Sequence, residues 1–212
     1  MSLSPIDLRT ALKSCPLIAI LRGLTPAEAP AIGAAVLDQG FAVLEVPMNS
    51  PQPVDSIRLL AAAHPAAVIG AGTVMTTTDV DAVAEAGGRL IVMPHADLAI
   101  VRHAKARGLA CVPGVATPTE GFAALAAGAD ALKLFPGEML TPAVLKALRA
   151  VFARDVMMIP VGGVSEKTMS DYWAAGADGF GIGSALYKPG ATVTDVTERA
   201  RALVQSARAL RR

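Results

Sequence analysis

Lys133 is the residue most suggestive of chemistry, because it stands inside the apolar run Ala131-Leu132-Lys133-Leu134-Phe135-Pro136. The other lysines lie in helix-like or turn-like surroundings. An ammonium group removed from water without a partner is costly, so a lysine in such a run is paired, neutral or chemically employed. A paired lysine is a structural ion pair that fixes the interior. A neutral one can attack a ketone and form a Schiff base. Lowering a lysine pKa from about 10.4 to about 7 corresponds to roughly 4–5 kcal/mol of differential environment, within reach of burial.

Strand parity supplies a proton partner. Along an extended chain Ala131, Lys133 and Phe135 share one face, and Leu132 and Leu134 the other. In Phe41-Ala42-Val43-Leu44-Glu45-Val46, Phe41, Val43 and Glu45 likewise share a face. With the leucines turned toward helices, Lys133 and Glu45 both point into a common interior and meet directly or through water. Glu45 is then the natural proton shuttle for a lysine nucleophile.

Two glycine turns suggest an anion. Val161-Gly162-Gly163-Val164 and Ile182-Gly183-Ser184-Ala185 follow the last two apolar runs. Glycine lets backbone N–H groups approach a ligand, and a helix N-terminus behind them favours phosphate. Arg22 ends the first run and has the fork geometry for a carboxylate or a rim salt bridge. Thr73, after Gly70-Ala71-Gly72, is placed to hydrogen-bond a substrate or to cap a helix, and Pro94 follows the fourth run. His64, His95 and His103 are scattered without metal-ligand spacing, so no metal site and no cofactor are expected. Trp173 is assigned to packing, and Cys15 and Cys111 to buried, reduced thiols.

These residues need a scaffold that gathers strand ends. Eight short apolar runs are expected as strands: 17–21, 41–46, 68–72, 90–93, 109–112, 131–135, 157–161 and 179–183. Helical segments alternate with them, and many end in Gly, as in Gln39-Gly40 and Arg107-Gly108, where a left-handed residue closes a helix. Thr25-Pro26, Thr117-Pro118 and Thr141-Pro142 read as helix starts with Pro at the first position, and Ser165-Glu166 as another start. The pattern predicts a compact (β/α)8 barrel in a single domain, 1–212, with an extra N-terminal helix (residues 1–14, helical over Pro5–Lys13) closing one end. An open doubly wound sheet is the alternative, but Leu21-Arg22-Gly23-Leu24 is not its glycine-rich dinucleotide loop.

Composition agrees with an ordered catalytic domain. Of 212 residues 53% are hydrophobic and 17% charged, which excludes a disordered chain. The net charge of +1 and the lack of a basic block argue against nucleic-acid binding. No run approaches the ~20 apolar residues of a membrane span. Charged residues near the N-terminus argue against a signal peptide, so a cytoplasmic protein is expected.

The ordered motifs Ile20-Leu21-Arg22-Gly23, Glu45-Val46-Pro47-Met48-Asn49-Ser50-Pro51, Gly70-Ala71-Gly72-Thr73-Val74, Leu132-Lys133-Leu134-Phe135-Pro136, Val161-Gly162-Gly163-Val164 and Gly183-Ser184 resemble the class I 2-keto-3-deoxy-6-phosphogluconate / 6-phosphogalactonate aldolase family. The resemblance implies a metal-free (β/α)8 barrel, a homotrimer, Lys133 as Schiff-base lysine and Glu45 as acid/base. It implies that Thr73, Pro94 and Phe135 line the pocket, and that Gly162, Gly163, Gly183 and Ser184 hold phosphate. Asn49, where gluconate-type members carry Arg, and Val161, where they carry Thr, resemble the galactonate type, as does Arg22. The expected reaction is reversible cleavage of 2-keto-3-deoxy-6-phosphogalactonate to pyruvate and D-glyceraldehyde 3-phosphate, with the gluconate epimer as the alternative substrate. A metal-dependent phosphosugar isomerase or decarboxylase, and a non-catalytic phosphoryl-ligand sensor, are the more distant readings.

Overall fold

The computed structural model describes residues 7–210. Its strands are β1 (Leu17–Ile20), β2 (Val43–Pro47), β3 (Val68–Gly72), β4 (Leu90–Val92), β5 (Ala110–Val112), β6 (Gly114–Val115), β7 (Leu132–Leu134), β8 (Met158–Pro160) and β9 (Phe180–Ile182). The helices are α1 (Leu8–Ser14), α2 (Ala29–Leu37), α3 (Pro53–Ala63), α4 (Thr77–Glu85), α5 (Leu98–Ala106), α6 (Pro118–Ala126), α7 (Pro142–Arg149), α8 (Met169–Ala174) and α9 (Val193–Ala209). The sheet is parallel throughout, in the order β5-β4-β3-β2-β1-β9 and β6-β7-β8.

The two sheets close into one barrel. β5 and β6 are one path interrupted at Pro113, which has no N–H to give to a ladder but whose carbonyl still accepts from Lys133 N at 2.9 Å. At the other seam Val161 bridges Gly181, joining the end of β8 to β9. This is the expected (β/α)8 barrel, with the fifth strand split in two, which the apolar pattern alone did not show. Strand bounds otherwise differ from the expected ones by a residue or two at the ends.

Helix starts follow their caps in part. Thr117 caps α6 and exchanges a capping box with Glu120, and α4 and α9 begin the same way at Thr76 and Thr192. Thr141 caps α7 without a side-chain hydrogen bond. Thr25 and Ser165 do not cap helices, as was expected of them: α2 and α8 start later, with Glu28 and Thr168 as caps. Thr25 instead gives its N–H and hydroxyl to the Glu28 carboxylate, at 3.1 and 2.5 Å, which stabilises a turn before α2.

Parity divides the core into two. Ile18, Val43, Val68, Leu90, Val112, Ala131 and Ile159 fill the barrel interior. Their alternating neighbours Ala19, Leu44, Ile69, Ile91, Cys111, Leu132 and Met158 face the helices. Leu8, Ala11 and Leu12 of α1 join the interior cluster, so the N-terminal helix plugs one end of the barrel as expected. The Pro5–Ile6 part of that expected helix lies outside the described residues. With one end plugged, ligands reach the interior from the C-terminal strand ends.

Candidate active site

Lys133 and Glu45 both lie inside the barrel, 6% and 2% exposed. β2 carries Glu45 in register with Ile20 of β1 and Gly70 of β3, and β7 carries Lys133 in register with Gly114 and Ile159. No direct ion pair joins them among the described residues, and Glu45 Oε2 is buried without a hydrogen-bond partner. They still sense each other. Burial pushes the Glu45 carboxyl up to about 7, against the opposing pull of Lys133, Arg22 and the Gly72 amide. Burial also pulls the Lys133 amine below its ordinary value, opposed by Glu45 and helped by the positive charge of Arg22. Lys133 Nζ sits 4.6 Å from the centroid of the Phe135 ring, a cation–π distance when it is protonated.

Glu45 has room because Gly72 has no side chain. A Cβ at Gly72 would fall 2.1 Å from Glu45 Oε2 and 2.2 Å from Oε1. Gly181 does the same for Val161, whose Cγ2 would lie 2.6 Å from a Cβ placed there. Val161 thus points inward and belongs to the interior cluster beside Ile20, with Phe135 packed against it. Neither glycine was singled out from the sequence. The signal was available at Gly72, since glycine within a strand marks a close approach.

At the mouth, Arg22 Nη1 donates to Asn49 Oδ1 at 2.5 Å and Nη2 to Thr73 Oγ1 at 3.4 Å. Thr73 has φ +55°, a left-handed conformation that is uncommon for a residue with a Cβ and is found at functional sites. Ser50 Oγ accepts from Gly23 N at 3.0 Å and holds the loop that carries Arg22. Asn49 was weighed only for the Arg it replaces; in the fold it positions Arg22. Pro94 follows β4, and a Cβ at Gly114 would strike its carbonyl carbon at 2.5 Å, so it is tightly held.

Arg22, Phe135, Val161, Gly162, Gly163, Gly183 and Ser184 line one cleft of about 400 Å3. The amides of Gly163 and Ser184 donate to no protein acceptor among the described residues. Of the expected site residues, Lys133, Glu45, Thr73 and Pro94 are not in its lining: Lys133 lies beneath it next to Phe135, and Thr73 reaches its edge through Arg22. A larger cavity, about 610 Å3, opens beneath α1 and is lined by Arg9, Arg89 and Lys105 among others; it contains neither Lys133 nor Glu45.

Comparison with known proteins decides the family. The model of the KDPG and KHG aldolase family matches residues 8–206. The chain belongs to that family. It is 50% identical to a probable 2-dehydro-3-deoxy-6-phosphogalactonate aldolase of Rhizobium meliloti, over 87% of this chain and 88% of the relative. It is 45% identical to the 2-dehydro-3-deoxy-6-phosphogalactonate aldolase of Escherichia coli, over 91% and 95%. The structure described as native KDPGal superposes with a TM-score of 0.90 at 45% identity, covering 92% of this chain and 95% of that one. The KDPG aldolase of Legionella pneumophila, solved with pyruvate captured at low pH as a covalent carbinolamine intermediate, superposes with a TM-score of 0.82 at 25% identity, covering 97% and 98%.

The raised Glu45 carboxyl has a stability consequence with a definite sign. Between its ordinary value of 4.5 and about 7 the folded state holds a proton that the unfolded chain releases. Glu45 therefore costs stability progressively as pH rises through that window, by an amount on the order of 3 kcal/mol. Glu45→Gln removes this term. Denaturant melts are expected to show the variant gaining on the wild type from pH 5 to pH 8; a pH-independent difference would contradict the buried, late-titrating carboxyl.

Proposed function

We propose that the chain is a class I aldolase that reversibly cleaves 2-keto-3-deoxy-6-phosphogalactonate to pyruvate and D-glyceraldehyde 3-phosphate. The observation that carries the reading is a buried lysine with a depressed pKa facing a buried glutamate with a raised one, inside a barrel open at the end that holds a glycine-lined cleft. Environments that push two titratable groups toward neutrality are what imine formation and proton transfer require. The carbinolamine captured in the Legionella pneumophila relative supports the same chemistry.

In this mechanism the Lys133 amine attacks the C2 ketone to form a carbinolamine, which loses water to give a protonated imine. The imine draws electrons as the C3–C4 bond breaks, and Glu45, directly or through water, takes the proton of the C4 hydroxyl. The aldehyde departs as glyceraldehyde 3-phosphate and leaves an enamine. Glu45 returns the proton to C3, and water hydrolyses the imine to pyruvate and free Lys133. Arg22, held by Asn49 and Thr73, binds the substrate carboxylate. The free amides of Gly163 and Ser184, with Gly162 and Gly183, bind the 6-phosphate. Phe135 packs beside the imine, and Pro94, outside the glycine-lined cleft but against the Gly114 that pairs with Lys133, is assigned to the wall near the lysine. No metal and no cofactor takes part in this scheme.

Val161 is the residue we assign to epimer choice. It faces the interior at the end of β8 and cannot hydrogen-bond a sugar hydroxyl as Thr does, which changes the preferred C4 configuration. The names of the two relatives at 50% and 45% identity support the galactonate substrate. Supplying pyruvate and D-glyceraldehyde 3-phosphate and identifying the C4 epimer tests it. A galactonate product is expected, with Val161→Thr moving the epimer ratio toward gluconate by roughly tenfold. A dominant gluconate product from the wild type would overturn the substrate, and no condensation would overturn the reaction.

We extend the proposal to a cytoplasmic homotrimer. Phe122 and Val151 are 51% and 56% exposed, and Phe122 stacks on Phe152 at 4.4 Å between ring centroids. Large exposed side chains around α6 and α7 are suited to a subunit contact. No helix of the described residues is long and apolar enough to cross a membrane. Light scattering is expected to give three times the chain mass; a monomer would contradict the assembly.

A further inference from the structure

The proposed phosphate turns already face an anion belonging to the protein. Glu138 lies just past Pro136-Gly137, on the loop that follows β7, and lines the same cleft as Arg22 and Ser184. Glu138 is an exposed residue, yet its carboxylate lies against the Gly162–Gly163 turn. A Cβ at Gly162 would meet Glu138 Oε2 at 2.6 Å, and one at Gly163 would meet Oε1 at 3.7 Å. No Lys or Arg forms an ion pair with Glu138 among the described residues, although Arg22 lines the same cleft.

The loop that carries Glu138 is tied to the turn it covers. Gly137 N donates to Val161 O at 2.7 Å, and Tyr172 Oη donates to Gly137 O at 2.9 Å. A Cβ on Gly137 would fall 2.3 Å from Gly162 O, so the two loops touch backbone to backbone. The negative charge is felt nearby: the Tyr172 hydroxyl is raised above its ordinary value, by burial first and by Glu138 second. Loop and turn therefore keep Glu138 beside the Gly162–Gly163 turn; its carboxylate accepts from neither free amide but lies close enough to repel an incoming phosphate.

We propose that Glu138 is a specificity-determining residue whose carboxylate, lying against the glycine turns, repels the substrate phosphate that binds there. This rests on those turns being the phosphate site. Glu138 swings out when the phosphorylated substrate binds and returns when the phosphorylated product leaves. Its charge weakens the hold on free phosphate and on glyceraldehyde 3-phosphate, and so favours release.

The test compares the wild type with Glu138→Gln and Glu138→Ala, using inorganic phosphate as a competitor of the cleavage reaction. Both variants are expected to bind phosphate roughly three- to tenfold more tightly, the size of an exposed charge interaction with a multiply charged ion. The gain is expected to shrink at high salt, because the charge is screened. The ratio of kcat/KM for the phosphorylated substrate to that for its unphosphorylated counterpart is expected to rise as well, whereas a general disturbance of the site would lower both together. Competitive inhibition of equal strength in wild type and variants would overturn the role of Glu138 and leave the phosphate turns standing. No competition by phosphate in any of the three proteins would overturn the phosphate turns and this inference with them.

Discussion

The barrel interior has to keep two ionisable groups in a space otherwise filled by Ile18, Val43, Val68, Leu90 and Ile159. Each group is desolvated, and each partly rescues the other's charge without direct contact. A tight salt bridge would lock both in their charged forms, and full separation would leave both neutral or force water in. The arrangement lies between these limits, which is where a lysine stays nucleophilic and a carboxylate can both take and return a proton. Arg22 sharpens the balance, since its charge stabilises ionised Glu45 and disfavours protonated Lys133 at once.

Much of the fold follows from keeping that interior accessible at one end only. α1 plugs the other end with Leu8, Ala11 and Leu12. Glycines recur where side chains would destroy the site: Gly72 leaves room for the Glu45 carboxylate, Gly181 for Val161, and Gly114 for the close approach of Pro94. The positive φ of Thr73 stands beside the Arg22 hydrogen bonds, a strained conformation kept where the mouth needs a hydroxyl.

The interior placement of Lys133 and Glu45 and the barrel were legible because they rest on short-range rules. Alternation placed Lys133 and Glu45 on interior faces, and the recurring apolar runs gave the strand count. What escaped depends partly on local competition for hydrogen bonds and partly on contacts far apart in sequence. The split of the fifth strand comes from Pro113, which has no N–H for the ladder although its carbonyl still accepts from Lys133 N. Thr25 and Ser165 carry the right residue type for a cap, but Glu28 draws the Thr25 donors into a turn before α2. The grip of Asn49 on Arg22 spans two strand ends, and the seat of Glu138 on the Gly162–Gly163 turn is fixed by Tyr172 from a third element. No local pattern encodes the last two.

The proposed mechanism turns on one covalent step at Lys133. Borohydride reduction in the presence of pyruvate, followed by peptide mass spectrometry, reads that step directly. The account predicts a reduced pyruvate adduct on the peptide carrying Lys133, absent from Lys133→Ala. An adduct on another lysine, or none in an active wild-type enzyme, would contradict it.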